Sequence, residues 1–140
     1  MSSPTQRTLD RLRSEGWTCQ SVEKHAPRFA GKMEIKGRLQ SVFTLTTRID
    51  LFGCIDVIAI RDGETLGIQA TGGGNNSHRL AKIRAEPRMQ AWLAANNRLE
   101  IWEWRQVVAY KADGTKAKVK RWQPRIEVVT LEAFEEPKPF

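Results

Sequence analysis

The sequence predicts an α/β fold in which helices cover a central mixed sheet. Residues 54–60 and 65–71 are short apolar runs of the kind that form buried strands. Between them, Asp62-Gly63 is typical of a two-residue hairpin loop, because these residues tolerate positive φ angles. A helical pattern follows at 76–95, and a further strand pattern follows at 99–108. Strands and helices in this succession indicate one sheet with helices packed on it.

The N-terminal residues predict a helix followed by a strand. Residues 5–15 place Leu9 and Leu12 on one helix face, and Gly16 stands where a C-terminal cap is expected. Residues 17–23 alternate between polar and apolar side chains, as in a half-buried strand. We therefore expect the fold to begin with one helix and one strand.

The stretch 25–47 has the weakest pattern in the chain. Proline and glycine residues interrupt it, and only 42–46 has the composition of a strand. A structureless connection of this length is unusual in a compact domain unless it has a function. We therefore expect a long functional loop that contains one extra strand.

The C-terminal half of the sequence continues with helices and ends in a hairpin. Pro87 divides the helical pattern into two segments. Asp113-Gly114 turns the chain, and residues 118–130 return as a strand. Residues 1–134 are then a single domain, and we expect the tail at 135–140 to be frayed.

Composition narrows the class of protein. The 140 residues include 23 basic and 16 acidic side chains, which give a net charge of +7. No apolar run approaches the ~20 residues of a membrane span, and residues 1–6 do not resemble a signal peptide, so we expect a cytoplasmic protein. The two cysteines and two histidines do not predict a zinc finger, because neither histidine has a metal-ligand partner at helical spacing. The excess of positive charge instead favours a polyanionic partner.

The positive charge is concentrated in two stretches of the chain, 24–38 and 105–125. Such clusters are either a solubilising surface or a surface that follows a phosphate backbone. The candidate nucleic-acid-binding residues are Lys24, Arg28, Arg48, Arg79, Lys118, Lys120 and Arg121. Neither stretch contains a base-reading motif, so we expect selectivity for shape rather than for sequence.

The predicted hairpin brings polar residues together at the centre of the sheet. A two-residue loop pairs Arg61 with Glu64, and the same register sets Asp56 opposite Gln69. Thr71 lies on the same face as Gln69, because side chains alternate along a strand. The other face is expected to be entirely apolar and to consist of Ile55, Val57, Ala59, Leu66, Ile68 and Ala70.

A buried aspartate such as Asp56 needs either hydrogen-bond donors or a cation. In the first case it only shapes the core. In the second case it is a ligand of Mg²⁺, which prefers carboxylate and carbonyl oxygens, and Gln69 and Glu23 are the further candidate ligands. Glu23 is alternatively an exposed charge at the end of a strand. Arg79 and Lys82 share one face of the next helix and are the candidate cations for this site, unless that face is simply solvated.

Two short segments resemble the PD-(D/E)XK nuclease superfamily, the restriction-endonuclease-like proteins that include Holliday-junction resolvases. The segment 50–60 is similar to the superfamily's Gly-x-x-Asp strand, and Gly67-Ile68-Gln69-Ala70-Thr71 stands where the (D/E)-X-K tripeptide belongs. Arg48-Ile49-Asp50-Leu51-Phe52-Gly53 and Gln69-Ala70-Thr71 also resemble small phage and prophage members with a Gln-x-Thr variant of the motif. The order of predicted elements matches the superfamily's αβββαβ core from residue 5 to residue 108.

The resemblance implies a metal-dependent DNA endonuclease that hydrolyses phosphodiester bonds with Mg²⁺ or Mn²⁺ as its cofactor. It implies that Asp56 holds the metal with Gln69 and Glu23. It also implies that Lys82 is a catalytic lysine displaced to the helix, with Lys24 as the second candidate. The implied architecture is a central mixed sheet flanked by helices, with an added C-terminal β-hairpin. DNA is the implied partner, a homodimer is left open, and a phage-encoded member would act in the host cytoplasm.

The departures from the motif leave a second function open. Gln69 replaces an acid and Thr71 replaces the lysine, so the site is alternatively degenerate; the protein then binds nucleic acid or a host protein without cleavage. The Gly72-Gly73-Gly74 run lacks a phosphate-loop pattern and is interpreted as a connector. Trp102 and Trp104 share a strand face, where they either pack in the core or stack on bases.

Overall fold

The structure is a computed structural model that describes residues 2–35, 37–74 and 76–135, with the backbone alone along 25–35 and 38–48. In chain order its elements are α1 (Pro4–Ser14), β1 (Thr18–Ser21), β2 (Lys24–Ile35), β3 (Arg38–Ile49), β4 (Val57–Arg61), β5 (Glu64–Thr71), α2 (Asn76–Arg84), α3 (Pro87–Ala94), β6 (Arg98–Val107), β7 (Arg121–Val129) and a short 3-10 helix (Leu131–Phe134). The predicted frayed tail lies outside the described residues from 136 onward.

The strands form one mixed five-stranded sheet and one separate two-stranded sheet. The order in the larger sheet is β1-β4-β5-β6-β7, and the smaller sheet pairs β2 with β3. Only the β5–β6 pair is parallel within the larger sheet, so β4 and β7 run against the other three strands. This confirms the predicted α/β class with a mixed sheet. Among the described helices, none combines the length and apolar character needed to cross a membrane.

The hairpin of β4 and β5 has the predicted register. Arg61 pairs with Glu64, and the ladder continues to the pair Val57–Ile68. Asp62 and Gly63 both have left-handed backbones, with φ angles of 45° and 80°. Such a turn matches the right-handed twist of the two strands, which explains why Asp-Gly sets the register here.

Helices cover both faces of the larger sheet and bury two apolar clusters. On the first face, α1 contributes Leu9 and Leu12. The strand residues that pack against them are Val57, Ala59, Leu66, Ile68, Trp102 and Trp104. The second cluster joins Ile83 of α2 and Met89 of α3 to residues of β6, the segment before β4 and the end of β7. The polar face that holds Gln69 is therefore partly covered by helices.

Ile55 packs in the second cluster, so its predicted place on the face of Val57 is wrong. The alternation of a strand does not extend back to Ile55, because β4 begins only at Val57. Residues before Val57 form a turn in which the Ile55 N–H donates to the Leu51 carbonyl oxygen at 3.0 Å.

The prediction for 25–47 is also wrong. Instead of a loop with one short strand, β2 and β3 form an antiparallel ribbon of two twelve-residue strands. Gly37 reverses the chain between them with a φ of 76°, a conformation that favours glycine. The stretch is therefore regular structure, although neither strand joins the larger sheet.

Ser3 caps the start of α1. The Ser3 hydroxyl accepts a hydrogen bond from the Gln6 N–H at 3.1 Å, and Pro4 occupies the first helical turn. The Trp104 indole N–H donates to the Thr8 hydroxyl at 2.9 Å, which fixes the helix on the sheet. Trp102 and Trp104 are 3% and 5% exposed, so they serve packing and are not available to stack on bases.

We expect Gly67→Ala to lower the free energy of unfolding by about 1–3 kcal/mol, because a methyl group overfills this site. A Cβ on Gly67 would lie 2.8 Å from Ile55 Cδ1 and 3.0 Å from Trp92 Cζ2. The matched control is Gly73→Ala, where a Cβ would meet no atom within 4 Å. Urea denaturation measures both; equal stability of the two variants would contradict the close packing at Gly67.

Candidate metal centre

Three carboxylates meet at one end of the larger sheet. Glu23, Asp50 and Asp56 each place one carboxylate oxygen within 4.8 Å of those of the other two. Asp56 is buried, and the other two are half-buried. A group of acidic oxygens this close attracts a cation and matches the donor set that hard divalent ions prefer. Of the predicted metal ligands, the structure therefore brings Asp56 and Glu23 together and adds Asp50.

Hydrogen bonds from neighbouring strands fix Asp56, which lies one residue before β4 and is 1% exposed. Its N–H donates to the Ile68 carbonyl oxygen at 2.9 Å, and its carbonyl oxygen accepts from the Val22 N–H at 2.8 Å. Its Oδ2 accepts from the Ala70 N–H at 2.8 Å. Both Val22 and β5 thus hold this residue, so its carboxylate has a defined position.

A tight turn carries Asp50 back toward Asp56. The Leu51 N–H and the Ile55 carbonyl oxygen form a bridge of 3.0 Å, and Asp50 and Asp56 flank this bridge on either side. The Gly53 N–H donates to the Asp50 carbonyl oxygen at 3.0 Å. Phe52 and Gly53 reverse the chain with φ angles of 53° and 74°. A left-handed aromatic residue such as Phe52 is uncommon and is found where the surroundings enforce it.

Asp50 is the residue that the sequence reasoning missed as a ligand. The segment 50–60 is similar to one strand of the superfamily, and a continuous strand would carry Asp50 away from Asp56. The available signal was the Leu51-Phe52-Gly53 sequence between the two acids, since glycine in an apolar run marks a turn. A turn there folds the two carboxylates onto one another.

Glu23 reaches the cluster from the segment that follows β1. The Thr5 hydroxyl in the first turn of α1 donates to Glu23 Oε1 at 2.6 Å. The neighbouring Val22 is bound to Asp56 through its N–H, as described above. Glu23 is half-buried, so the alternative of a fully exposed strand-end charge does not describe it.

Gln69 is completely buried at the position opposite Asp56. The β4–β5 register, extended by one residue beyond Val57–Ile68, sets the two residues side by side. Its exposed fraction is 0%, and neither its Oε1 nor its Nε2 has a hydrogen-bond partner in the part of the chain that the structure describes. A buried amide without partners is costly, and such sites need an explanation such as a bound ion. Gln69 therefore remains a candidate ligand beside Asp56.

A cleft of about 660 Å³ opens beside the acidic cluster. Asp50 lies in its wall together with three cationic residues, Lys24, Lys82 and Arg88. Burial raises the pKa of the Cys54 thiol, while the nearby charge of Lys82 acts to lower it. The charge of Asp50 acts to raise the same pKa.

Arg88 is held in position at the rim of this cleft. Its Nε and Nη2 donate to the two carboxylate oxygens of Glu86 at 2.7 and 3.0 Å. These bonds lower the pKa of Glu86 to about 2. Glu86 also caps the start of α3 by accepting from the Arg88 N–H at 3.2 Å. The capped helix thus fixes a guanidinium at the side of the cleft.

Arg79 and Lys82, the two candidate cations on one face of α2, have different surroundings. Arg79 is half-buried, and its Nη2 donates to the Thr71 hydroxyl at 3.4 Å. Lys82 is exposed and lines the cleft. Of the two, Lys82 is therefore the one that shares a cavity with an acid of the cluster.

The basic residues of the C-terminal hairpin lie at the same end of the sheet as the acidic cluster. β6 runs parallel to β5, with Glu103 beside Thr71, and it continues to Val107, which pairs with Arg121. The four residues 104–107 extend β6 by about 13 Å beyond Glu103. Lys118, Lys120 and Arg121 are exposed there. This end of the sheet therefore carries the acidic cluster at β4 and, on the hairpin that extends beyond β6 and β7, several exposed cations.

The remaining candidates lie on the ribbon. Lys24 pairs with Ile49 at its base, Arg48 pairs with His25 one residue further, and Arg28 pairs with Leu45. Lys24 is exposed. These basic residues thus lie at increasing distance along the ribbon from its end beside Glu23 and Asp50.

Comparisons with models of protein families, with curated proteins and with solved structures give no match to this chain. Its function is therefore inferred from the chemistry of the site.

We expect Gln69→Met to raise the free energy of unfolding by about 1–2 kcal/mol when no metal is present, because it removes two buried unpartnered atoms while keeping the shape. The same variant should bind Mn²⁺ at least about tenfold more weakly, since an oxygen donor is lost. Denaturation in EDTA and calorimetric titration with Mn²⁺ measure the two effects. A less stable variant with unchanged Mn²⁺ affinity would show that Gln69 is an ordinary core residue.

Proposed function

We propose that this protein is a divalent-metal-dependent DNA endonuclease related to the PD-(D/E)XK nucleases. The observation that carries the proposal is the cluster of Glu23, Asp50 and Asp56 within 4.8 Å, placed at a sheet end rich in positive charge. A carboxylate cluster can bind a cation, and the lysines and arginines at the same end of the sheet can bind a polyanion. Phosphodiester hydrolysis uses both.

The order of elements supports this relationship. When the β2–β3 ribbon is set aside as an insertion, the chain reads α1, β1, β4, β5, the α2–α3 pair and β6. This is the αβββαβ order that the sequence resemblance implies. Asp56 immediately precedes the second strand of this core, and Gln69-Ala70-Thr71 lies at the end of the third. The motif positions are therefore next to one another in the larger sheet.

The donor atoms at the site fit Mg²⁺ or Mn²⁺. Glu23, Asp50 and Asp56 would hold the ion, and the Gln69 Oε1 is a neutral oxygen at the adjacent position. When bound, the ion supplies Lewis-acid activation of water and neutralises charge on the phosphate. The chain contributes a defined carboxylate position at Asp56, because the Ala70 N–H holds its Oδ2 before any ion arrives. At Asp50 it contributes a turn whose backbone is hydrogen-bonded through the Asp50 carbonyl oxygen.

Lys82 and the basic surfaces would act on the substrate. Lys82 lines the cleft with Asp50, where an ammonium group can stabilise negative charge that develops on a phosphate. Arg88, fixed by Glu86, offers a guanidinium at the same cleft. The exposed lysines of the C-terminal hairpin would bind the phosphate backbone on the other side of the site.

A second function remains a candidate because of Thr71. It occupies the position of the superfamily's lysine, and its hydroxyl accepts from Arg79 instead of acting as a base. A chain with this substitution and with Gln69 in place of an acid is alternatively a binding module that holds nucleic acid, or a host protein, without cutting. In that case divalent metal and Asp56 have no effect on binding.

We expect Asp56→Asn to reduce metal-dependent cleavage by about 100-fold or more, because it removes one charge from the metal ligands. An asparagine oxygen can still accept from the Ala70 N–H, so the fold is preserved. The matched control is Asp62→Asn, the same change at an exposed turn residue. Labelled single-stranded, duplex and four-way-junction DNA are incubated with Mg²⁺, Mn²⁺ or EDTA.

The outcomes of this assay separate the two functions. Cleavage that needs metal and is lost only in Asp56→Asn supports the nuclease. Salt-sensitive binding without cleavage, equal for the wild type and both variants, would contradict the nuclease and favour the binding module.

Lys82→Gln should lower the cleavage rate by about 100-fold while Mn²⁺ affinity stays unchanged, because the lysine acts on the phosphate and not on the ion. The control is Arg84→Gln, which removes an equal charge from the same helix. Single-turnover rates and calorimetry provide the two readouts. Equal cleavage rates for the two variants would show that Lys82 has no role in catalysis.

A further inference from the structure

The β2–β3 ribbon is a large element without a packing partner in the fold. Within the described part of the chain, β2 and β3 pair with each other, and neither packs extensively against another helix or strand. An isolated two-stranded ribbon is only marginally stable in water. A ribbon of this length therefore indicates a surface that is completed by a partner.

The charge of the ribbon selects the kind of partner. Residues 24–49 include six basic residues and one acidic residue, Glu34. Two copies of this ribbon would repel each other, whereas a polyanion complements it. The sequence of β3 also supplies five side chains that can both donate and accept hydrogen bonds, namely Gln40, Ser41, Thr44, Thr46 and Thr47.

The dimensions of the ribbon match a groove of B-form DNA. Each strand has twelve residues. At about 3.4 Å per residue the ribbon spans about 40 Å, close to one helical turn of DNA. The major groove is about 12 Å wide and admits a two-stranded ribbon, whereas the major groove of duplex RNA is too narrow.

Irregularities in the ribbon also favour a curved groove. The register shifts between Arg28 and Phe29 and again between Phe29 and Lys32. Bulges of this kind bend a ribbon and increase its right-handed twist. Such bulges favour a ribbon that curves, and an element that follows a helical groove must curve.

The ribbon ends at the acidic cluster. Lys24 and Ile49 form its last pair, and the two residues that flank this pair are Glu23 and Asp50. A molecule bound along the ribbon would therefore reach Glu23 and Asp50 at the end of the ribbon formed by Lys24 and Ile49. For DNA in this position, the sugar-phosphate backbone that borders the groove meets the cluster.

We propose that the β2–β3 ribbon inserts into the major groove of duplex DNA and thereby selects duplex DNA as the substrate of the acidic cluster. The inference rests on the proposed function, since it names the substrate of that same site. It assigns residues 24–49 a role in binding, separate from the residues that hold the metal.

The test uses a shortened ribbon in which residues 29–44 are replaced by Asn-Gly, so that Arg28 and Leu45 still pair at the base. A second variant, Lys32→Gln with Arg38→Gln, keeps the full length. Its matched control is Arg11→Gln with Arg13→Gln, two exposed residues near the end of α1 remote from Thr5. Each change is made in the Asp56→Asn background, and binding to duplex and single-stranded DNA is measured by fluorescence anisotropy in EDTA.

We expect the unshortened protein to bind duplex at least about tenfold more tightly than single strands, and the shortened ribbon to lose this preference. The charge variant should lower the slope of log affinity against log salt by about 2, whereas the α1 control leaves it unchanged. Bound protein should protect guanine N7, a major-groove atom, from methylation. Unchanged duplex binding by the shortened ribbon, tighter binding to duplex RNA, or displacement by a minor-groove ligand without N7 protection would overturn the proposal.

These results are independent of cleavage. If the shortened ribbon loses duplex binding while the wild type cuts no DNA, the ribbon proposal stands and the nuclease proposal fails. If the shortened ribbon binds and cuts duplex normally while Asp56→Asn does not cut, the nuclease proposal stands and the ribbon proposal fails.

Discussion

The structure of this protein depends on holding three like charges together. Two ionised carboxylates 4.8 Å apart, the upper limit of the separation among Glu23, Asp50 and Asp56, repel by about 3.5 kcal/mol at an effective dielectric constant of about 20. Backbone hydrogen bonds oppose this repulsion, chiefly those that join Asp56 to Val22, Ile68 and Ala70. The strands provide the positions, and a cation at the cluster would remove the repulsion. The fold thus brings three acidic side chains together at a point where they could hold a metal ion.

The same constraint relates the ribbon to the sheet. Glu23 and Asp50 are separated in sequence by residues 24–49, and they meet because the ribbon closes at Lys24 and Ile49. The ribbon is therefore the connection that brings two of the acids together, and it is the element that we propose binds DNA. The C-terminal hairpin lies at the same end of the sheet and carries exposed cations further along its length.

The sequence predicts best those features that depend on local chemistry. Asp62-Gly63 fixes the β4–β5 register, and this register correctly sets Gln69 opposite Asp56. Asp50 could not be placed in the same way, because the turn before β4 needs a left-handed Phe52, which no residue preference predicts. The two strands of the ribbon could not be predicted, because two bulges and Pro27 interrupt the two-residue alternation by which strands are recognised. At Phe52 the surroundings decide the backbone, and in the ribbon the bulges interrupt the alternation, so the pattern of residue types shows neither feature.

The measurement that tests the account most directly is the anomalous scattering of Mn²⁺ in crystals of the wild-type protein. The account predicts one strong peak about 2.1 Å from carboxylate oxygens of Glu23, Asp50 and Asp56, with the Gln69 amide oxygen beside it. The peak should be absent in crystals of Asp56→Asn. A peak elsewhere, or a lysine or arginine side chain in the space between the three carboxylates at saturating Mn²⁺, would contradict the assignment of this cluster as a metal centre.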